Sequence, residues 1–305
     1  MRKKQLHNIG KNSFLIFFMV WVFSCLGCGR IKTTEGPQKE LYPTGQIRYE
    51  AFYKQGKLDG LRKEYYLSGA LKSTANFVNG IIEGEVLIYY EDGAIRGRYN
   101  FKNGKQQGPA REFYEGGTLE REANFKDDKV EGMIKTYHEN GQLKGEAQSQ
   151  DDKLFGKIRE YYENGKLKSE ITIRDGFRAG PAKEFHDNGI LSRELIYKND
   201  KVNGLITTYY EDGALKGKAY SVDDQFEGVV QEYYPTGPLK SQYTYQRGKR
   251  QGISEEYYLN QQRKVEMFFK DDKPDGIVNI YNSEGELRIQ ETYKDGKRVG
   301  IKKYN

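Results

Sequence analysis

The sequence predicts an all-β fold: an elongated single-layer antiparallel sheet of about eleven 24-residue β-hairpin repeats. Three observations carry this. A glycine recurs every 24 residues from Gly60 to Gly300 without insertion or deletion, which is the mark of a repeat array. Asn-Gly and Asp-Gly pairs such as Asn140-Gly141, Asn164-Gly165 and Asp212-Gly213 recur between alternating apolar and polar residues, the short-range signal of a hairpin. The alternation leaves one face mainly apolar and the other mainly charged.

The elements follow in chain order. Residues 1–12 carry Arg2, Lys3, Lys4 and Lys11 with no acid, and FLIFFMVWVF at 14–23 is an unbroken apolar run. A basic front, a short apolar middle and a small-residue end form the layout of an export signal. The run falls short of the ~20 residues needed to span a bilayer, so a stable membrane helix is the weaker reading. Cys25 and Cys28 are the only cysteines, which leaves no intramolecular disulfide for the mature domain. FSCLGCG resembles a bacterial lipoprotein box, which implies lipidation of Cys28 after removal of residues 1–27. Cys25 is the alternative acceptor, and an ordinary cleaved signal with incidental cysteines is a third reading. Removal of 1–27 takes away four basic residues, leaving 46 against 44 acids, so the formal net charge falls from +6 to +2. Attraction to nucleic acid thereby loses its electrostatic basis. Residues 28–39 read as a short polar tether.

From Glu40 to Lys303 the chain divides into eleven blocks of 24, numbered here by place within the block. KDDKVEG at 126, KNDKVNG at 198 and KDDKPDG at 270 add a longer period of 72. The Asn-Gly pair at places five and six predicts a type I′ turn, both residues taking positive φ. In that register place three faces place eight, place one faces place ten, and place twenty-three of the preceding block faces place twelve. The second connection reads as longer and ends at the periodic glycine. Gln261 and Arg263 replace the turn glycine and the following leucine of block ten, which predicts an irregular hairpin there. Residues 301–305 can cap the array as a last strand.

The repeat, as in YYENGKLKSE at 161–170, YYEDGALKGK at 209–218 and YKDGKRVG at 293–300, resembles the bacterial variant of the MORN repeat, seen in YwqK-type antitoxin-like proteins. The resemblance spans residues 40–303 and implies successive hairpins in one twisted sheet, serving as a scaffold or binding module with no shared reaction. Neutralisation of a toxin and phospholipid recognition are further family associations.

No catalytic constellation is legible. His138 and His186 occupy the third place, where eight blocks carry tyrosine, and read as substituted sheet residues; His7 lies in the signal. No Cys/His set suits a zinc ion, so neither metal nor cofactor is expected, and the chain is read as no enzyme. Asp127-Asp128, Asp151-Asp152, Asp223-Asp224 and Asp271-Asp272 could bind calcium, but they stand in turns where glycine occurs elsewhere, and Asp tolerates the left-handed conformation. Tyrosine is the informative enrichment: sixteen of 25 occupy places two and three, where aromatic residues suit a pleated surface. Tyr66, Tyr90, Tyr114, Tyr162, Tyr210, Tyr234 and Tyr258 are expected to line a long exposed face that contacts a partner. The expectation is a lipid-anchored scaffold on the bacterial envelope, on an outer membrane or surface where one exists, binding a protein or another extended partner by avidity. A cell-wall polysaccharide binder and an immunity-like toxin neutraliser are the alternatives.

Overall fold

The computed structural model describes residues 35–305. The expected signal, Cys25, Cys28 and most of the tether lie outside them. The described residues contain thirty strands, and among them no helix is long and apolar enough to cross a membrane. They fall into two compact units, 35–165 and 166–305. Within each, antiparallel strands hydrogen-bond to their neighbours in chain order.

One repeat shows the build. Strand Gly60–Tyr65 pairs with strand Leu71–Val78, which turns into the two-residue strand Ile81–Ile82 and then, past a break, into Gly84–Tyr89. Seven such breaks, together with the additional first strand Gly36–Leu41, explain why there are thirty strands where eleven hairpins predict twenty-two. At place twenty-one the periodic glycine takes positive φ in ten of the eleven repeats, from +71 at Gly156 to +134 at Gly204; the strand breaks there in seven of them, while Lys153–Tyr161, Gln225–Tyr233 and Lys249–Tyr257 run on through the glycine with a shift of register. At Gly204 a side chain from the neighbouring strand also lies over it. A Cβ on Gly204 would sit 3.2 Å from Ile196 Cδ1.

Both turns differ from the expectation. The Asn-Gly loop has three residues: His138 N–H donates to Gln142 O at 2.8 Å, and Gly141 N–H donates back to His138 O at 2.9 Å. Gly141 alone takes positive φ, +82, so this is a type I turn closed by a left-handed glycine. Asn140 is selected for its side chain. Its Oδ1 accepts Gln142 N–H at 2.9 Å and its Nδ2 donates to Glu163 O at 2.8 Å. Asp212 likewise accepts Ala214 N–H at 2.9 Å.

The type I′ turn is found at the second connection. Asn79 (φ 51) and Gly80 (φ 84) sit between the paired Val78 and Ile81, and Asp223 (φ 49) and Asp224 (φ 68) between Val222 and Gln225. The acid pairs are therefore turn residues in the left-handed region, and their carboxylates are engaged. Asp128, Asp152, Asp200, Asp224 and Asp272 each accept, through Oδ1, the backbone N–H at place nineteen of the preceding repeat, at 2.7 to 2.8 Å.

The register changes with the loop. Places one and ten pair as expected (Glu64 with Ser73), as do places twenty-three and twelve (Arg62 with Ala75). Place eight, however, pairs with place two, Tyr65 with Leu71, across a bulge, because the three-residue loop adds one residue to the first strand. Block ten is regular. Gln261 takes the glycine's place at φ 67, and Tyr257 pairs with Arg263 as its counterparts do.

The apolar face is filled. Ala75, Val86, Ile134, Ile171, Phe125 and Val202 are buried, and small residues stand opposite large ones, as in Ile134–Ala147 and Ile206–Ala219. Strand twist brings these side chains together across successive strands, so no second layer is needed to cover them. The first strand, Gly36–Leu41, begins inside the expected tether. Gly36, at φ +80 and 24 residues before Gly60, belongs to the glycine series. The last, Lys297–Lys303, pairs with Leu287–Lys294.

Candidate partner-binding surface

The two adjacent tyrosines of the repeat point their hydroxyls in opposite chain directions. At place three, Tyr66 donates to Tyr89 O, Tyr90 to Phe113 O, Tyr114 to Tyr137 O, Tyr210 to Tyr233 O, Tyr234 to Tyr257 O and Tyr258 to Tyr281 O, all at 2.7 to 2.9 Å. Each bond reaches 23 residues forward. At place two the hydroxyl reaches back to a carboxylate at place eleven: Tyr65 to Glu50 at 2.9 Å, Tyr137 to Glu122 at 2.9 Å, Tyr161 to Glu146 at 3.0 Å, Tyr209 to Glu194 at 3.0 Å. The pairs Tyr65-Tyr66 and Tyr209-Tyr210 thus strap their repeats to both neighbours, whereas Tyr233 and Tyr257 turn their hydroxyls to Gln231 and Glu255, two residues back.

Burial, followed by the carboxylate bond, pushes the Tyr137 phenol up to about 12 and raises those of Tyr65, Tyr161 and Tyr209. Burial also raises Tyr90 and Tyr114. These phenols stay protonated and act as donors. His138 and His186 substitute at place three with Nε2 at 3.0 Å from Tyr161 O and 3.2 Å from Tyr209 O, taking over the tyrosine's forward strap.

All seven tyrosines proposed from sequence, Tyr162 included, are half-buried. For the six with forward straps the hydroxyls are spent within the array. What stays accessible is ring surface, and at four of them an adjacent cation. Lys72 Nζ lies 5.9 Å from the centre of the Tyr66 ring, Arg96 5.7 Å from Tyr90, Lys216 5.4 Å from Tyr210 and Lys264 5.8 Å from Tyr258. The bulge brings the place-nine cation beside place three.

The exposed apolar side chains stand on the other face. Places thirteen and twenty-two are cross-strand partners, and in 166–305 they include Leu205 with Tyr220 and Ile253 with Phe268, all exposed. Their alternation with buried places is legible in the sequence, but their pairing depends on where the bulge falls. Among the described residues no three His, Cys, Asp or Glu side chains are grouped to hold a metal.

Eight segments match the model of the MORN repeat variant: 34–55, 58–79, 82–103, 106–127, 130–151, 156–175, 178–199 and 226–247, together more than half of the chain. The chain belongs to the MORN repeat variant family. Repeats beyond the matched segments keep the same pairing, as Lys249–Tyr257 with Arg263–Lys270 and Gly276–Tyr281 with Leu287–Lys294. No curated protein matches. Among solved structures, the chain is similar at 14% identity to one titled "Crystal Structure of TcdB2-TccC3-Cdc42", covering 87% of this chain and 16% of that one, with a TM-score of 0.19. A Photorhabdus luminescens Tc holotoxin pore is 12% identical over 88% of this chain and 16% of that one, TM-score 0.18. The chain spans about a sixth of the length of these structures. The likeness carries no functional weight.

Proposed function

We propose that this MORN repeat protein is a non-enzymatic scaffold, exported and lipid-anchored at Cys28, that binds an extended envelope partner through the tyrosine and cation column. The supporting observation is the repetition of one unit, a tyrosine ring held by its hydroxyl strap beside an exposed lysine or arginine. Pre-organised contacts repeated along the chain, two in 35–165 and two in 166–305, suit a partner that is itself repetitive, because each weak contact raises the effective concentration for the next. The cations favour a partner bearing carboxylates or phosphates, whether an acidic glycan or an acidic protein surface.

The test is capture of purified envelope glycans and of crosslinked envelope proteins by the full chain over a salt series. Replacing Lys72, Arg96, Lys216 and Lys264 together by alanine is expected to lower capture at least tenfold and to flatten its salt dependence. Capture that survives this change with its salt dependence intact would remove the column from consideration. Mass spectrometry of the mature N-terminus tests the anchor: acylation of Cys28, lost in Cys28→Ser, is the expected result.

A further inference from the structure

We infer that residues 181–301 carry a self-complementary surface through which two copies of this chain pair. The surface is the row of places thirteen and twenty-two. Its centre is three cross-strand pairs in successive repeats: Leu205 with Tyr220, Val229 with Thr244, and Ile253 with Phe268. The five apolar members are 43 to 57% exposed. Ile196 and Ile277, also about half exposed, extend the row by one repeat at either end. The corresponding pairs in 35–165 are more polar, for example Glu85 with Asn100, so the apolar row is confined to one part of the array. Isolated exposed apolar side chains need no explanation; a contiguous row marks a contact site.

The occupant follows from the order of residues along the row. Read in either direction it runs large and aromatic, small, large and aromatic, with Val229 and Thr244 at the midpoint. A two-fold axis parallel to the strands through that midpoint sets Leu205 and Tyr220 of one copy against Ile253 and Phe268 of the other.

The charges beside the row obey the same symmetry. Two residues along each strand, and therefore on the same face, stand Thr207 with Lys218, Gln231 with Gln242, and Glu255 with Glu266. Lys218 has no ion-pair partner among the described residues. Glu255 and Glu266 share one cation, Arg263, at 3.0 Å each, so the pair keeps a net negative charge. Within one chain Lys218 is three strands from Glu255 and four from Glu266, roughly 14 and 19 Å at ~4.8 Å per strand, too far to pair. The two-fold axis brings each Lys218 to the other copy's acids, with uncharged glutamines at the centre. An unrelated partner would require no such palindrome.

The area is also sufficient. Seven apolar side chains with about 90 Å² free on each amount to about 600 Å² per copy before the flanking polar contacts, close to the ~800 Å² that a standard interface takes from each side.

Sedimentation velocity of the full chain in detergent with reductant should show a dimer. Ile253→Gln with Leu205→Gln should raise its dissociation constant at least a hundredfold while the melting temperature stays within a few degrees. Lys218→Glu and Glu266→Lys should each weaken the homodimer about tenfold, and an equimolar mixture of the two variants should recover pairing, because both contacts of the mixed dimer are then attractive. A photoreactive phenylalanine analogue at position 229 should crosslink to the partner's 229–244 region. A chain that stays monomeric at high micromolar concentration, a dimer unaffected by the double glutamine variant, or a mixture that pairs no better than its components would overturn the assignment.

Discussion

Asp224 tests the turn assignment most directly. It sits in the left-handed region at φ 68, and its Oδ1 accepts the N–H of fully buried Val202 at 2.8 Å, while its own N–H donates to Val202 O at 3.0 Å. Three substitutions separate the contributions. Asp224→Asn keeps an acceptor and tolerates positive φ, so it should cost no more than about 1 kcal/mol. Asp224→Gly removes the charged hydrogen bond but fits the backbone, for a loss of about 2 kcal/mol. Asp224→Ala loses the bond and adds left-handed strain of about 1 kcal/mol, for about 3 kcal/mol in all. Urea unfolding ranks the variants, and amide exchange at Val202, expected to accelerate in the Gly and Ala variants alone, locates the effect. If alanine costs no more than glycine, the left-handed conformation is not required and the type I′ assignment fails. If Val202 exchange does not change, the carboxylate does not serve the preceding repeat.

Four further outcomes follow from the same geometry. Tyr114→Phe should lose about 1 kcal/mol by thermal unfolding, the net worth of its bond to Tyr137 O, with the ring still in place; an unchanged melting temperature would mean that the hydroxyl strap contributes nothing. Gly97→Ala should cost about 2 kcal/mol, since a Cβ would lie 2.6 Å from the hydroxyl of buried Tyr99. Combining it with Tyr99→Ala should cost less than the sum of the single changes, and strict additivity would disprove the clash. Glu112, held by Tyr99 at 2.8 Å and Arg121 at 3.0 Å, has its carboxyl raised, chiefly by burial. An acid raised on folding binds its proton more tightly in the native state, so the wild type should lose stability relative to Glu112→Gln as pH rises from the ordinary carboxylate range, ~4.3, through the raised folded value. A difference that grows in the opposite direction would contradict the burial. Restoring glycine in block ten, Gln261→Gly, should leave the hairpin intact and change stability by less than about 1 kcal/mol, balancing relief of positive φ against loss of the Gln261 Nε2 bond to Leu239 O; a larger loss in unfolding experiments would show that the glutamine is specifically required.

The sequence by itself determined the repeat length, the hairpin character and which alternate places are apolar, because glycine spacing and a period of two are local properties of the chain. Gly36 belonged to the same series and could have been read as the start of the first strand. Tertiary structure decided how the turns are built. Asn-Gly suits both a type I′ turn and a type I turn closed by glycine, and nothing local distinguishes them; the choice rests on hydrogen bonds between repeats, such as Asn140 to Glu163 O and Val202 N–H to Asp224. That choice moves the register by one residue at the tyrosine pair. In a strand, one residue decides which face a side chain occupies, and so it decides that the place-three hydroxyls strap repeats together while the exposed apolar row runs along the opposite face.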